Sequence, residues 1–402
     1  MTMKIGFDIS QTGRKKAGCG YFAESLITHL SLIDKQNQYI LYPTLGDHYW
    51  DSQFNTTCCF KLKNFQQGLT CTSLDKAKAF WQNQISDIEK QLGSVDILHT
   101  NNFFCPPKLK HTKLVYTLYD LSFLEYPACS TEHNRIACFD GVFKASLNAD
   151  LIIAISHYTR QHFLRTFPHY PAERIVVTYP ANRFDKAYSA PIKSKKLAHL
   201  QSQQFWLTVG TIEPRKNVKR LLQAYAKLKA QQPTLPLVLA GKPGWMENDI
   251  EKTINDLNLT ADIHLLGYVD NNELAWLYQN CFCLVYPSLF EGFGLPVLEA
   301  MSFGKPVISS NNSSIPEIIG SAGILINPLD VNELSQAMLQ VWMEPACRTQ
   351  LITLATQQAK LFSWEATAKK ILTLYEEVLA LPKKNSLFNN KMPGTPLGIK
   401  TL

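Results

Sequence analysis

Short apolar runs alternate along the chain with amphipathic stretches, a rhythm that predicts strands joined by covering helices. Lys4–Ile9 (KIGFDI) reads as a first strand, followed by Gly13, Gly18 and Gly20 and then a helix from about Tyr21 to Ser31. Strand-like runs recur at Tyr39–Tyr42, Ile97–Thr100, Leu114–Thr117, Leu151–Ile155 and Ile175–Val177, with a helix expected over Arg135–Asn148. These predict a first domain over residues 1–185, built around a mostly parallel sheet. From Phe184 to Gln204 the pattern turns polar and lysine-rich without a period, which marks a linker. A second α/β series over 200–360 follows, with strands at Phe205–Val209, Leu237–Ala240, Ile263–Leu265, Cys283–Tyr286 and Pro306–Ser309. Helices fit between them at Asn217–Lys229, Asn271–Gln279 and Pro296–Phe303. Ser363–Leu379 reads as an amphipathic helix capped by Ser363, with Ala368, Ile371, Leu372, Tyr375 and Leu379 on its apolar face. The aperiodic, lysine-bearing tail 383–402 is expected to be disordered. Two α/β domains in series place a cleft at the carboxyl ends of their strands, where such folds bind ligands.

Composition narrows the partners. At 402 residues, 46% apolar and 18% charged, the chain is an ordinary globular protein large enough for two domains. The formal charge of +7 suits phosphate-bearing ligands or an anionic membrane surface. With no arginine-rich helix and no zinc-finger spacing, nucleic acid is not an expected partner. Ten cysteines without a C-x-x-C pair suggest reduced thiols in a cytoplasmic protein. Neither a signal peptide nor a membrane-spanning apolar stretch is legible, so any membrane contact is expected to be peripheral, at the inner face. Oligomeric state is not legible.

Three constellations carry chemistry. Gly18-Cys19-Gly20 follows the first strand, where glycines let a backbone approach a ligand and a helix N-terminus favours negative charge. It is not the dinucleotide fingerprint, because Ala23 takes the third position, Arg14, Lys15 and Lys16 are inserted, and no acidic residue closes a second strand. A plain tight turn is the alternative. The second is Val209-Gly210-Thr211-Ile212-Glu213-Pro214-Arg215-Lys216-Asn217: a strand end, Gly210, then two adjacent cations before a helix. Arginine grips phosphate bidentately and lysine acts as a point charge, so Arg215 and Lys216 read as phosphate ligands rather than solvated surface. The third is Tyr286–Gly323, where Glu291 stands in a loop with Gly292, Phe293 and Gly294, and Glu299 falls inside the following helix. Ionised carboxylates there can accept from sugar and ribose hydroxyls, while the loop amides can face anionic oxygens. Asn311, Ser313 and Ser314 look like a further ligand-side loop.

These residues resemble the donor-site signature of glycosyltransferase family 4, the retaining family that includes bacterial mannosyltransferases. The resemblance runs from Gly18–Tyr21 to the helix containing Trp364 and is densest in Val209–Asn217 and Ala275–Pro328. It implies the GT-B fold, two Rossmann-like domains facing each other across a cleft, with the helix at about 363–380 crossing back to the first. Glu291 and Glu299 match the family's E-x7-E motif, which implies sugar hydroxyls for Glu291 and the nucleotide ribose for Glu299. Lys216 matches the diphosphate lysine, and Arg215 stands in for a second cation that many members carry after the glycine where this chain has Thr211. Gly18 and Gly20 are implied to lie near the diphosphate and the acceptor. The resemblance implies a nucleotide-diphosphate sugar as donor. The forms EPRKN and SNNSSIPE resemble the mannosyltransferase branch and favour GDP-mannose, with a UDP-sugar as the alternative. The acceptor is expected to be a saccharide or a lipid-linked hydroxyl.

One departure stands out. Members commonly carry histidine before an aspartate at a first-domain strand end; here Tyr119 holds that place and Asp120 is kept. Either Tyr119 alters the donor contact, or catalysis is weakened, or another residue such as His99 fills the role. The chain has no D-x-D and no H-E-x-x-H sequence, so a metal-independent reaction is expected. A GT-B-like epimerase, phosphorylase or hydrolase, and a silent donor-binding protein, are the competing readings, with a Rossmann oxidoreductase behind them.

Overall fold

The computed structural model describes residues 2–13, 16–46, 58, 60–184, 191, 193–244 and 250–383. The tail from 384, the cations Arg14 and Lys15 and most of the expected linker's first half therefore lie outside the described residues.

The first sheet comprises β1 (Lys4–Asp8), β2 (Gln38–Tyr42), β3 (Phe65–Gln67), β4 (Ile97–Thr100), β5 (Lys113–Leu118), β6 (Leu151–Ala154) and β7 (Ile175–Val177). The second comprises β8 (Trp206–Val209), β9 (Leu237–Ala240), β10 (Ile263–Gly267), β11 (Cys283–Tyr286), β12 (Val307–Ser310) and β13 (Ile324–Ile326). Strand orders are 3-2-1-4-5-6-7 and 10-9-8-11-12-13, and every pairing is parallel. Both sheets thus reverse direction next to their first strand, between β1 and β4 and between β8 and β11. This is the doubly wound pattern, and its switch points are where ligands lodge. The continuous apolar runs LIIA, LVLA and CLVY are buried at every position because helices cover both faces.

The strands expected from the apolar runs are present, within a residue or two at their ends. Two edge strands, β3 (FQQ) and β13 (ILI), are too short for an apolar pattern to mark. The first helix begins earlier than expected, at Gly18, and runs to Ile33. Gly18 and Gly20 therefore form its first turn rather than a loop before it. A Cβ on Gly20 would stand 2.0 Å from the Gln11 carbonyl oxygen, so glycine here lets the helix start pack on the loop after β1. Beyond the linker's undescribed part, Leu197 and Leu200 are buried in the core, so this stretch is packed rather than free.

The helix Trp364–Ala380 is capped as expected, Ser363 accepting from the Ala366 amide. It returns to the first sheet: Trp364 meets Phe22 edge-on at 5.5 Å and Tyr375 reaches His99. Among the described residues no helix is long and apolar enough to cross a membrane.

Candidate active site

The second sheet's switch point assembles the densest charged cluster. After β8 and Gly210, the chain makes a single 3-10 turn, Pro214–Lys216, and enters the helix Val218–Gln231 through Asn217. Asn217 holds a left-handed conformation (φ 59°), which asparagine tolerates better than most residues, and its amide donates to the carbonyls of Pro287 and Pro328. This locks the cation turn onto the loop after β11. That loop carries Glu291, which is 7% exposed. Its Oε1 accepts from Lys216 Nζ at 2.6 Å, Tyr286 Oη at 2.8 Å and Ser288 Oγ at 2.5 Å, and its Oε2 lies 3.0 Å from Arg215 Nη1.

Arg215 also donates to the Phe290 carbonyl at 2.8 Å and to Glu213 at 2.5 Å. It braces two loops as well as supplying charge. Burial favours the neutral carboxyl of Glu291, but Lys216 and Arg215 overcome it and hold the group down at about 2. Burial lowers the Lys216 ammonium, reinforced by Arg215 and opposed by Glu291. The Arg215 guanidinium is raised despite burial, by Glu291 and Glu213. The cluster is a pre-charged clamp whose cations are fixed before any ligand arrives, which limits reorganisation when negative charge enters.

Ser313 and Ser314 support this loop: the Glu291 amide donates to Ser313 Oγ at 3.0 Å, and Ser314 Oγ donates to the carbonyls of Glu291 and Phe293. Gly294 is the N-cap of the helix Leu295–Ser302. Within that helix Glu299 is fully buried, its Oε2 accepting from Tyr278 Oη at 2.8 Å and from Arg183 Nη2 at 3.3 Å.

The Glu291 loop is also where the two domains meet. Phe290 sits among Tyr126, Tyr158 and His162 of the first domain, at ring-centroid distances of 6.0, 5.6 and 6.0 Å. Phe293 packs on Tyr179 and Phe362. A Cβ on Gly292 would stand 2.2 Å from the Tyr119 carbonyl oxygen and 2.9 Å from Asp120 Cβ. Thr159 Oγ1 bridges the carbonyls of Tyr119 and Gly292, at 3.3 Å from each. Alanine at position 292 is therefore expected to separate the domains locally. A loss of at least about 10²-fold in turnover, from misplacement of the reacting groups, should accompany it. Steady-state kinetics with a melting control checks this, and unchanged turnover would contradict the contact.

Tyr119 is 6% exposed and its hydroxyl donates inward, to the Asn101 carbonyl at 2.9 Å and toward the Cys19 carbonyl at 3.3 Å. Its ring meets Phe22 edge-on at 5.6 Å, so it ties β5 to the first helix, the element that carries Gly18 and Gly20. Asp120 accepts from the Ser122 amide at 2.9 Å, which starts a short helix. His99 is completely buried, between Tyr375 Oη at 2.6 Å and Thr117 Oγ1 at 2.8 Å, and burial pushes its imidazole down to about 3. It belongs to the polar seam under the crossing helix, not to the cleft.

Sequence reasoning passed over Arg183, Tyr278, Ser288 and Phe290 as individual site residues. Ser288 and Phe290 flank Glu291 in the motif already singled out, and Tyr278 lies in the stretch where the resemblance is densest but outside its acidic motif, whereas Arg183 lies in a stretch with no signature. Among the described residues no group of three or more metal-ligating side chains is found.

Two facing Rossmann-like domains, each a doubly wound parallel sheet, define the GT-B architecture. The profile of the family described as Glycosyl transferases group 1 matches residues 189–358. O-antigen chain mannosyltransferase B of Escherichia coli is 36% identical over 285 residues, covering 70% of this chain and 74% of that protein. Among solved structures, sucrose-phosphate synthase from Thermosynechococcus elongatus superposes with a TM-score of 0.70 at 20% identity, over 94% of this chain and 99% of that one. Anabaena Alr3699/HepE in complex with UDP-glucose gives a TM-score of 0.67 at 18% identity, over 93% and 100%. The chain belongs to the group 1 glycosyltransferases, in their bacterial mannosyltransferase-like branch.

Proposed function

We propose that the protein transfers a mannosyl residue, with retention of configuration, from GDP-mannose to a hydroxyl of a saccharide or lipid-linked acceptor. A UDP-sugar is the alternative donor. The observation that carries this reading is the clamp of Arg215 and Lys216 on Glu291 at the switch point. The branch supports mannose, and HepE's complex supports a nucleotide-diphosphate sugar at this kind of fold.

In the proposed reaction Lys216 meets the donor diphosphate, and Arg215 holds Glu291 while adding positive potential. The first turn at Gly18 and Gly20 and the amides of Gly292, Phe293 and Gly294 are proposed to face the same diphosphate. Glu291 accepts from the sugar hydroxyls and Glu299 from the ribose. As the sugar–phosphate bond breaks, charge grows on the diphosphate and the fixed cations stabilise it, so the acceptor hydroxyl can attack from the same face and pass its proton to the leaving phosphate. No glutamate serves as a covalent nucleophile, and the cations provide the charge compensation without a metal. Domain seating through the Glu291 loop excludes water. The site is proposed to work in the cytoplasm, with peripheral contact to the membrane where a lipid-linked acceptor resides.

Tyr119 takes a supporting part in this scheme. Its replacement by phenylalanine leaves the Asn101 carbonyl without its donor and is expected to cost about 1–3 kcal/mol of stability, with donor KM nearly unchanged. Denaturant titration together with kinetics checks this, and a large fall in turnover at unchanged stability would point instead to substrate contact. That same inward hydroxyl is what favours the second reading, a donor-binding protein with feeble turnover. A mass-spectrometric donor screen with membrane extract as acceptor source separates the two, since binding without product would support the second.

A further inference from the structure

Glu299 is 0% exposed, and a carboxylate so placed needs compensation. Part comes from Tyr278 Oη and part from Arg183. Arg183 follows β7, on the connector between the two sheets, and its Nε stands 2.8 Å from Glu299 Oε1. That approach lacks hydrogen-bond geometry: Arg183 Nε and Glu299 Oε1 are both buried without a hydrogen-bond partner. Buried polar atoms are nearly always paired, and leaving one unpaired is costly. The guanidinium is braced from the other side by the first domain, lying 3.9 Å over the Tyr21 ring, whose hydroxyl donates to Asn271 at 3.2 Å. Burial raises the Glu299 carboxyl although Arg183 opposes it, so the contact leaves the carboxylate only partly compensated.

Arg183 thus covers the carboxylate at ion-pair distance, with one oxygen outside hydrogen-bond geometry, a contact that a ligand with better-aimed donors could replace. A vicinal diol could give that carboxylate two aligned hydroxyl donors, where Arg183 supplies one hydrogen bond and one ion-pair contact. We propose that Arg183 is a specificity-determining residue of the donor site: it covers Glu299 until a ligand offering the two ribose hydroxyls replaces it. The proposal rests on the assignment of Glu299 to the donor ribose. Because Arg183 is wedged between Glu299 of the second domain and Tyr21 of the first, its displacement also loosens a domain contact only when a ribonucleotide has arrived.

The test compares GDP with 2′,3′-dideoxy-GDP, and UDP with its dideoxy counterpart, by calorimetry on the full chain. Wild type should bind the ribonucleotide more tightly than the dideoxy form. Arg183→Gln should tighten the ribonucleotide about fivefold or more and leave the dideoxy form within about twofold, widening the ratio. Arg183→Lys, which keeps the charge but not the planar fork, should shift the ratio in the same direction and serves if the glutamine variant does not fold. A weaker ribonucleotide affinity in both variants, or equal shifts for both ligands, overturns the proposal and makes Arg183 a support of the site. If wild type does not distinguish the two nucleotides and Glu299→Gln binds both as wild type does, the ribose assignment itself falls, and the proposal with it.

Discussion

Replacement of Lys216 by methionine is expected to lower turnover by about 10²–10³-fold, the usual cost of removing one pre-aimed charge from a developing anion. The ammonium is buried and held by Glu291 and Tyr286, so it reaches the clamp already oriented. Methionine keeps much of the length and apolar stem while deleting the charge and its hydrogen bonds to Glu291 and Tyr286. Glu291 Oε1 would retain Tyr286 and Ser288 as donors, and Oε2 would retain Arg215, so the fold should survive with a modest stability loss. Activity should therefore fall far more than stability. Single-turnover kinetics beside a denaturant titration decides this, and parallel losses in both would mean that Lys216 acts mainly as a structural counter-charge.

Glu291→Gln should be the most destabilising single change in the site. It leaves Arg215 and Lys216 buried without their shared carboxylate, and breaking a buried pair from one side costs about 3–5 kcal/mol. The wild-type protein carries a matching acid signature. Folding depresses the Glu291 carboxyl from 4.5 to about 2, so its contribution is present above pH 4.5 and is lost as the pH falls toward 2. A shift of this size corresponds to stability on the order of 3 kcal/mol. Unfolding free energies measured from pH 6 down to 2 should show this limb in the wild type and a flatter one in the variant. An unchanged limb would show that Glu291 is not the carboxylate held by the two cations.

Much of this arrangement was legible in the sequence because it rests on local signals. Continuous apolar runs mark strands buried on both faces, and Asn217, Gly292 and Gly294 sit where the backbone needs them beside the charges. The two cations and Glu291 were visible as motifs, but their merging into one cluster was not. It depends on β8 and β11 lying side by side, a pairing between residues far apart in the chain. Arg183 was invisible for the same reason: nothing near it in sequence announces Glu299 or Tyr21. Tyr119 could be flagged as a departure at its position, while the direction of its hydroxyl depends on where Asn101 and Cys19 come to rest. Gly18 and Gly20 suggest a ligand-facing turn in the sequence, yet both lie in the first turn of the helix, where the close approach of Gln11 to Gly20 outweighs glycine's low helix propensity.

The most direct test of the proposed transfer is a mass-spectrometric donor screen. Purified wild-type protein and the Lys216→Met variant would each be incubated with GDP-mannose, UDP-glucose and other nucleotide sugars, with membrane extract as acceptor source. The expected result is a glycosylated product and released GDP from GDP-mannose with the wild type, and a loss of both by at least about 10²-fold in the variant. Product formed equally by both proteins, or no sugar transferred from any donor by the wild type, would contradict the proposed reaction.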